Sequence, residues 1–410
     1  MDKNCSPKAS ERLFSLLRNK EYFLLEKEAN QFRGCIGPGQ QLYFQSHLDN
    51  AFNRNQKALE DCQELLRNYS SSLPDSLKAD LCLLQGDSYF KEFQYAKAAA
   101  QDSLLLANYS RSLDIDQLKD IKNEQLIRNG LRNAPPQQTM IRSESTIAYT
   151  KNQIGILDIP VEINSVASHA IFDTRANISC ISETYAKRFG MKKLDVSYEE
   201  GSGITGIRFQ TGLAVADSVK LGNVLVRHAV FQVMPDSVLY IAPIGFSMNI
   251  IVGFPIIEQL REVQIFKDGR LFVPVQPSGG NLHNLALDGL NPVISLKHDH
   301  EMQSYYFDLG ASTSILYYLF FVENRSAIVS HGVSRSTDYG GAGGIIKKES
   351  FVLPSASFQL GNRKISIDSV DVLTQKINPG EKFYGNIGED FVGQFNELII
   401  NFRDMYVEGR

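Results

Sequence analysis

The sequence predicts an α-helical N-terminal domain of stacked hairpins followed by an all-β domain of two lobes. Three observations predict it. Residues 8–132 carry apolar side chains at helical spacing, and glycine and β-branched residues are sparse across most of the stretch. Pro135-Pro136, within "RNAPPQQT", breaks that pattern and reads as a linker. Beyond it, segments such as "NQIGILDIPVEIN", "FQTGLAVADSVKLGNVLVRHAVFQVM" and "IIKKESFVLPSASFQLGNRKISIDSVDVL" are short, β-branched and punctuated by Gly, Asn, Asp and Pro. That texture marks a hairpin-rich β region, and it occurs twice. The expected boundaries are 1–135 for the helical domain, 140–278 for the first lobe and 279–410 for the second.

The helical part opens with "SERLFSLLRNKEYFLLEKEANQF", for which Ser10 is a candidate cap. A weak repeat follows at a spacing of forty residues. Lys57-Ala58, Leu65-Leu66 and Asn68-Tyr69 recur as Lys97-Ala98, Leu105-Leu106 and Asn108-Tyr109. "GDSYFKEFQYAKAAA" (86–100) is similar to a tetratricopeptide helix pair, with small residues where two helices approach closely. Such arrays bind a protein partner or brace a neighbouring domain.

The 410 residues leave room for two or three domains, and 43% hydrophobic with 21% charged residues is ordinary globular composition. A net charge of −4 gives no basic excess to attract nucleic acid. There is no apolar run of about 18 residues, so no membrane span is expected. "MDKNCSPKAS" has no apolar core and does not read as a signal peptide, which leaves a cytosolic protein or one whose leader precedes this numbering. Cys5 lacks the small apolar neighbours of a lipid-anchor site. Five cysteines with no CxxC spacing argue against a disulfide framework or a zinc site. Neither metal nor other cofactor is expected.

The β region is a duplication. "FDTRANISCIS" (172–182) lines up with "FDLGASTSIL" (307–316), pairing Phe172, Asp173, Ala176 and Ser179 with Phe307, Asp308, Ala311 and Ser314 at a shift of 135. "VKLGN" (219–223) lines up with "FQLGN" (358–362). "IIVGFPIIEQLREV" (250–263) lines up with "GNIGEDFVGQFNEL" (385–398), again at 135, pairing Gly253 with Gly388. Each half thus holds an apolar strand ending in Asp, a small-residue turn and a later glycine step. Two such loops meeting across a pseudo-twofold axis would set Asp173 and Asp308 side by side. Carboxylates that close share one proton, so one can take a proton from water while the other polarises a carbonyl.

On these residues, 145–405 resembles the pepsin-like and retropepsin-like aspartyl proteases, with bacterial two-lobed members carrying an N-terminal tetratricopeptide-like region the most similar. The resemblance implies a pepsin-like β fold and an Asp-Thr/Ser-Gly motif in each lobe. Asp173 and Asp308 match the catalytic pair. Thr174 matches the hydroxyl residue that braces the two loops, and Gly310, Gly253 and Gly388 match supporting glycines. "GSGITGI" and "DYGGAGGII" stand where substrate-covering hairpins belong, which makes Gly201, Ser202, Gly203, Ile204, Thr205 and Gly206 flap candidates in lobe one. Tyr339, Gly340, Gly341, Ala342 and Gly343 are those of lobe two. The resemblance further implies an extended peptide or protein substrate, and export to a bacterial envelope.

Both motifs depart from the pattern, as Asp-Thr-Arg and Asp-Leu-Gly. Arg175 brings a Cβ and a charge where the family has glycine. It is expected to crowd the backbone's approach to the carboxylate, to favour ionised Asp173 and to oppose the shared proton. Leu309 has no hydroxyl, so at most half of the brace is expected. Two functions are therefore open: a peptidase, or an inactive relative that binds peptide or protein through the same cleft and the helical repeats.

Other signals read more simply. "GSGITG" satisfies a dinucleotide fingerprint, but strand rather than helix follows it. "KHDHE" (297–301) offers His298, His300 and Glu301 as metal ligands, yet it lies between two strands where a polar turn belongs. "GGAGG" (340–344) lacks the Lys-Ser/Thr of a phosphate loop and fits a hairpin tip. Cys180 lies in a core-like segment and reads as buried.

Overall fold

The computed structural model describes residues 8–201 and 203–410. The chain divides into two compact units. One comprises residues 1–136 with the short segment 286–289, and the other residues 137–285 with 290–410.

Residues 9–131 of the first unit are all-helical. Its helices are α1 (Ala9–Arg18), α2 (Tyr22–Gln31), α3 (Pro38–Ala51), α4 (Asn55–Tyr69), α5 (Asp75–Lys91), α6 (Tyr95–Asn108) and α7 (Ile115–Leu131). Ser10 is not a cap: it lies inside α1, and its hydroxyl accepts a bond from Gln40 across the packed pair. The forty-residue repeat is a repeat of structure. Asn53 and Phe93 both adopt left-handed backbone (φ 58° and 55°) between the helices of α3–α4 and α5–α6. A 3-10 turn closes each pair, at Ser70–Ser72 and Ser110–Ser112. Ala58 and Ala98 are fully buried at matching positions of α4 and α6, where a larger side chain would push the helices apart. Asp114 caps α7 with a complete capping box through Gln117. Cys35 is disulfide-bonded, a pairing the odd cysteine count did not suggest. Among the described residues no helix is long and apolar enough to cross a membrane.

The second unit is mainly β, with short helices between its strands. A nine-stranded mixed sheet forms lobe one and an eight-stranded mixed sheet forms lobe two. The turns at Gly222 (φ 57°) and Gly361 (φ 55°) hold the repeated "LGN" at the same place in each lobe, between long antiparallel strands. The "KHDHE" segment is a hairpin turn, with His298 paired to Glu301 across it. Among the described residues no group of three or more metal-ligating side chains is gathered.

A five-stranded sheet draws strands from both halves, in the order Ser145–Ala148, Arg270–Val273, Glu262–Phe266, Glu397–Asn401, Tyr406–Gly409. Its centre records the duplication. Glu262–Phe266 and Glu397–Asn401 are equivalent segments at the shift of 135, and they pair antiparallel with Gln264 opposite Ile399. Those two residues are themselves equivalent, so the pseudo-twofold axis passes through their pair.

Candidate functional site

In each lobe, an apolar strand delivers an aspartate to a tight turn held by a second strand. In lobe one Val166–Phe172 ends at Asp173, alongside Ile250–Val252 in parallel register. In lobe two Glu301–Phe307 ends at Asp308, alongside Gly385–Ile387 in the same register. The backbone bonds are equivalent one by one. Asp173 N donates to Val252 O (3.0 Å) and Asp308 N to Ile387 O (2.9 Å). Phe254 N donates to Ala176 O and Glu389 N to Ala311 O, both at 2.8 Å. The fully buried Ser179 and Ser314 hydroxyls accept from Gly253 N and Gly388 N, both at 3.0 Å. These two serines recur in the sequence duplication, and a polar residue repeated within an apolar segment was the signal for their structural part.

Gly253 and Gly388 are required by space. A Cβ on Gly253 would lie 2.5 Å from Ala176 O, and one on Gly388 would lie 2.7 Å from Ala311 O. Gly310 is tighter still, and its neighbour comes from the other lobe. A Cβ there would lie 2.2 Å from the carboxyl carbon of Asp173. Asp173 therefore rests its carboxyl directly on the lobe-two loop, two residues after Asp308.

Thr174 ties the loops together. Its fully buried hydroxyl donates to Phe307 O (2.9 Å) and accepts from Leu309 N (3.0 Å). Leu309 is buried and has no hydroxyl with which to return the contact.

Arg175 does not do what its position in the motif suggests. Its backbone N–H donates to Asp173 Oδ1 at 2.7 Å, as Gly310 N–H does to Asp308 Oδ1 at 2.9 Å. The backbone approach is thus kept despite the Cβ. The side chain leaves Asp173 and crosses to lobe two. Nη1 donates to Asn386 Oδ1 (2.8 Å) and stands 3.7 Å from Asp308 Oδ2. Nε reaches Asn291 Oδ1 (3.4 Å), and the guanidinium carbon lies 4.0 Å from the centre of the Tyr306 ring. Burial pushes the Arg175 guanidinium down, but Tyr317, Asp308, Tyr306 and Asp173 together raise it, so it stays charged. Arg175 favours ionised Asp173, as expected, but it does not decide that group's state. Burial first, and the charge of Asp308 second, push Asp173 up to about 7, outweighing Arg175 and the backbone donors.

Asn291, Tyr306 and Tyr317 were not singled out in the sequence, and Asn386 was given no role there. For Asn386 there was a signal: it breaks the apolar pattern where lobe one has Ile251, its partner at the shift of 135. It is almost fully buried, and its Nδ2 donates to Asp308 Oδ2 at 2.9 Å. Glu389 is a further buried acid near Asp308. Burial raises its carboxyl to about 7, against the pull of Lys151 Nζ at 3.2 Å.

Two hairpin tips meet above these loops. Gly201, Gly203, Ile204, Thr205 and Gly206 lie at the end of the lobe-one hairpin, and Ser202 lies outside the described residues. Gly341, Ala342, Gly343 and Gly344 turn the lobe-two hairpin, with Tyr339 and Gly340 on the strand leading to it. Thr205 Oγ1 donates to Ala342 O (3.3 Å), and Gly343 N donates to Val238 O of lobe one (2.8 Å). Ile204 packs against Tyr317, Tyr339 and Leu373 of lobe two, whereas Ala342 packs against the lobe-one cluster of Ile171, Met234 and Leu239. Cys180 lies in that same lobe-one cluster, with its thiol against Ile178 O and Gln232. Burial raises it far above the range of a reactive thiolate.

Residues 159–250 match the model of a family described as aspartyl protease. The match lies within lobe one and contains Asp173, Thr174 and Arg175. No curated protein matches the chain. The chain is thus an all-helical region over residues 9–131 followed by an aspartyl-protease-like β region with two large mixed sheets.

Proposed function

We propose that the β unit is an aspartic-type peptidase in which Asp173 and Asp308 activate water against the carbonyl of an extended peptide. The observation that carries this reading is the carboxyl of Asp173 seated on Gly310 of the opposite loop, within two equivalent loops locked by Thr174. Burial and a like charge keep one proton on such a pair at pH values where a free carboxylate has lost it. Water adds to the carbonyl carbon as one carboxylate takes its proton and the other carboxyl gives its proton to the carbonyl oxygen. The gem-diol then collapses, the C–N bond breaks, and the protons move to the leaving nitrogen and back to the donor carboxylate. The hairpin tips would cover the peptide, and its main chain would add as a strand.

The test is cleavage of a diverse peptide library between pH 3 and 8, by the wild type and by Asp173→Asn and Asp308→Asn. Cleavage lost in both variants supports the reading. No cleavage by the wild type, where an intact family member cuts, refutes it.

Arg175 favours a second reading. Its ion pair with Asp308 occupies the edge of the carboxyl pair with a fixed charge, as suits a relative that binds peptide or protein without cutting, with the helical repeats as a second contact surface. Peptide affinity that survives Asp173→Asn with Asp308→Asn, in a protein that cuts nothing, supports it. Gain of cleavage in Arg175→Gly, alone or with Leu309→Thr, identifies an enzyme restrained by those two side chains.

A further inference from the structure

Two departures from the repeated pattern stand in different lobes, and they are bonded to each other. Arg175 replaces the glycine found at the equivalent Gly310, and Asn386 replaces the apolar residue found at the equivalent Ile251. Arg175 Nη1 donates to Asn386 Oδ1 (2.8 Å), and Asn386 Nδ2 donates to Asp308 Oδ2 (2.9 Å). The amide is thereby oriented: its oxygen faces the guanidinium, which fixes its NH2 toward the carboxylate. Tyr306 under the guanidinium and Asn291 at Nε hold Arg175 in this direction.

We infer that Arg175 and Asn386 act as one positioning unit that fixes the negative charge of the carboxyl pair on Asp308 and leaves its single proton on Asp173. This rests on the peptidase reading for its consequence, in which Asp308 takes the proton of water and Asp173 donates to the carbonyl oxygen. The assignment of the proton itself does not depend on turnover.

The hydrogen bonds of the two carboxyls carry the argument. Asp308 accepts on both oxygens, from Gly310 N at Oδ1 and from Asn386 Nδ2 at Oδ2, with the guanidinium 3.7 Å from Oδ2. Donors on both oxygens and a nearby cation favour the carboxylate. At Asp173 both donors, Arg175 N and Ala176 N, land on Oδ1. Oδ2 receives neither of them and is the oxygen that can carry the proton.

The other titratable groups around the pair do not reverse this. From lobe two, Tyr306, Tyr317 and Glu389 face Asp308 or Arg175. Burial pushes Tyr317 up to about 12, which keeps it neutral, and Glu389 up to about 7, which keeps it neutral below that pH. From lobe one, Cys180 faces Asp173 as a neutral thiol. Lys151 is engaged with Glu389. A pair built this way keeps its one proton toward neutral pH, because Asp173 is buried beside the charge of Asp308 and these outweigh the opposing pull of Arg175.

The experiment is carboxyl carbon NMR of the full chain labelled with 13C-aspartate, titrated from pH 4 to 9. Resonances are assigned through Asp173→Asn and Asp308→Asn. In the wild type, the step near neutral pH is expected in the Asp173 resonance and not in that of Asp308. In Arg175→Gly, both resonances are expected to move through the same step, because the proton is then shared. Asn386→Ile is expected to do the same, and the double variant no more than either single one, since the two residues act as a unit. Arg175→Lys keeps a cation but loses the planar fork, and is expected to restore the single-residue step only in part. An Asp308 resonance that takes the proton in the wild type overturns the inference. So does an Arg175→Gly pattern unchanged from wild type. Absence of peptide cleavage bears on the peptidase reading and leaves this measurement intact.

Discussion

Replacing Thr174 with valine removes one oxygen from a fully buried position and keeps the branched shape of the side chain. That oxygen donates to Phe307 O and accepts from Leu309 N, so the change deletes two bonds that join the lobes. Each buried bond contributes about 1 kcal/mol net, and an orphaned buried N–H adds a penalty of about 1–3 kcal/mol. Leu309 N–H has no hydroxyl of its own to turn to. The extra methyl of valine recovers less than about 1 kcal/mol of apolar transfer. The expected loss is therefore about 2–4 kcal/mol. For a unit of this size, with a urea slope of about 3 kcal/mol per molar, the unfolding midpoint falls by about 1 M. Far-UV circular dichroism of the full chain in urea measures this. Amide exchange across 305–312 places the effect at the loop rather than in the helical region. Thr174→Ser is the control: it keeps the hydroxyl, loses one methyl and should cost about 1 kcal/mol. A valine variant with the wild-type midpoint would refute the reasoning, as would a serine variant that falls as far as the valine one.

Two further outcomes follow from the same geometry. Gly253→Ala and Gly388→Ala each place a Cβ within 2.7 Å of a backbone oxygen and should lower the melting temperature by several degrees. Gly340→Ala, whose nearest neighbour is a side-chain atom at 3.8 Å, should leave it within a degree, and equal losses at all three sites would contradict the packing argument. The second concerns pH. Asp173 and Glu389 both sit near 7 in the folded protein, above the ordinary range near 4, so between about pH 4 and 7 the unfolded chain binds fewer protons than the native one. Each group therefore removes stability as pH rises through that window. Glu389→Gln, measured as a difference from wild type, should grow relatively more stable from pH 4.5 to 7, and a difference that is flat or falls with pH would show that Glu389 is ionised in the native state.

Much of the site was legible because a duplication is written linearly. Asp173 and Asp308, Gly253 and Gly388, and Ser179 and Ser314 all recur at one spacing, and each pair makes the same bonds in the two lobes. The tandem helical pairs were legible for the same reason, through a repeat that returns the same left-handed turn forty residues on. The hairpin tip at Gly341–Gly344 was legible from its glycines.

The direction of Arg175 was not legible. The sequence showed a cation two residues after Asp173, and chain proximity suggested that its charge would act there. In the folded protein the side chain is long enough to span the gap between the loops. It finds an aromatic face and two amides in lobe two, from residues 116 and 211 positions away along the chain. The sequence by itself determined which residues form the equivalent loops, because strand ends, tight glycines and buried hydroxyls are local requirements of the backbone. Only the tertiary structure decided how those loops differ. Burial, the neighbouring carboxylate and the reach of one guanidinium set the charges at the site, and these depend on distances through space rather than along the chain.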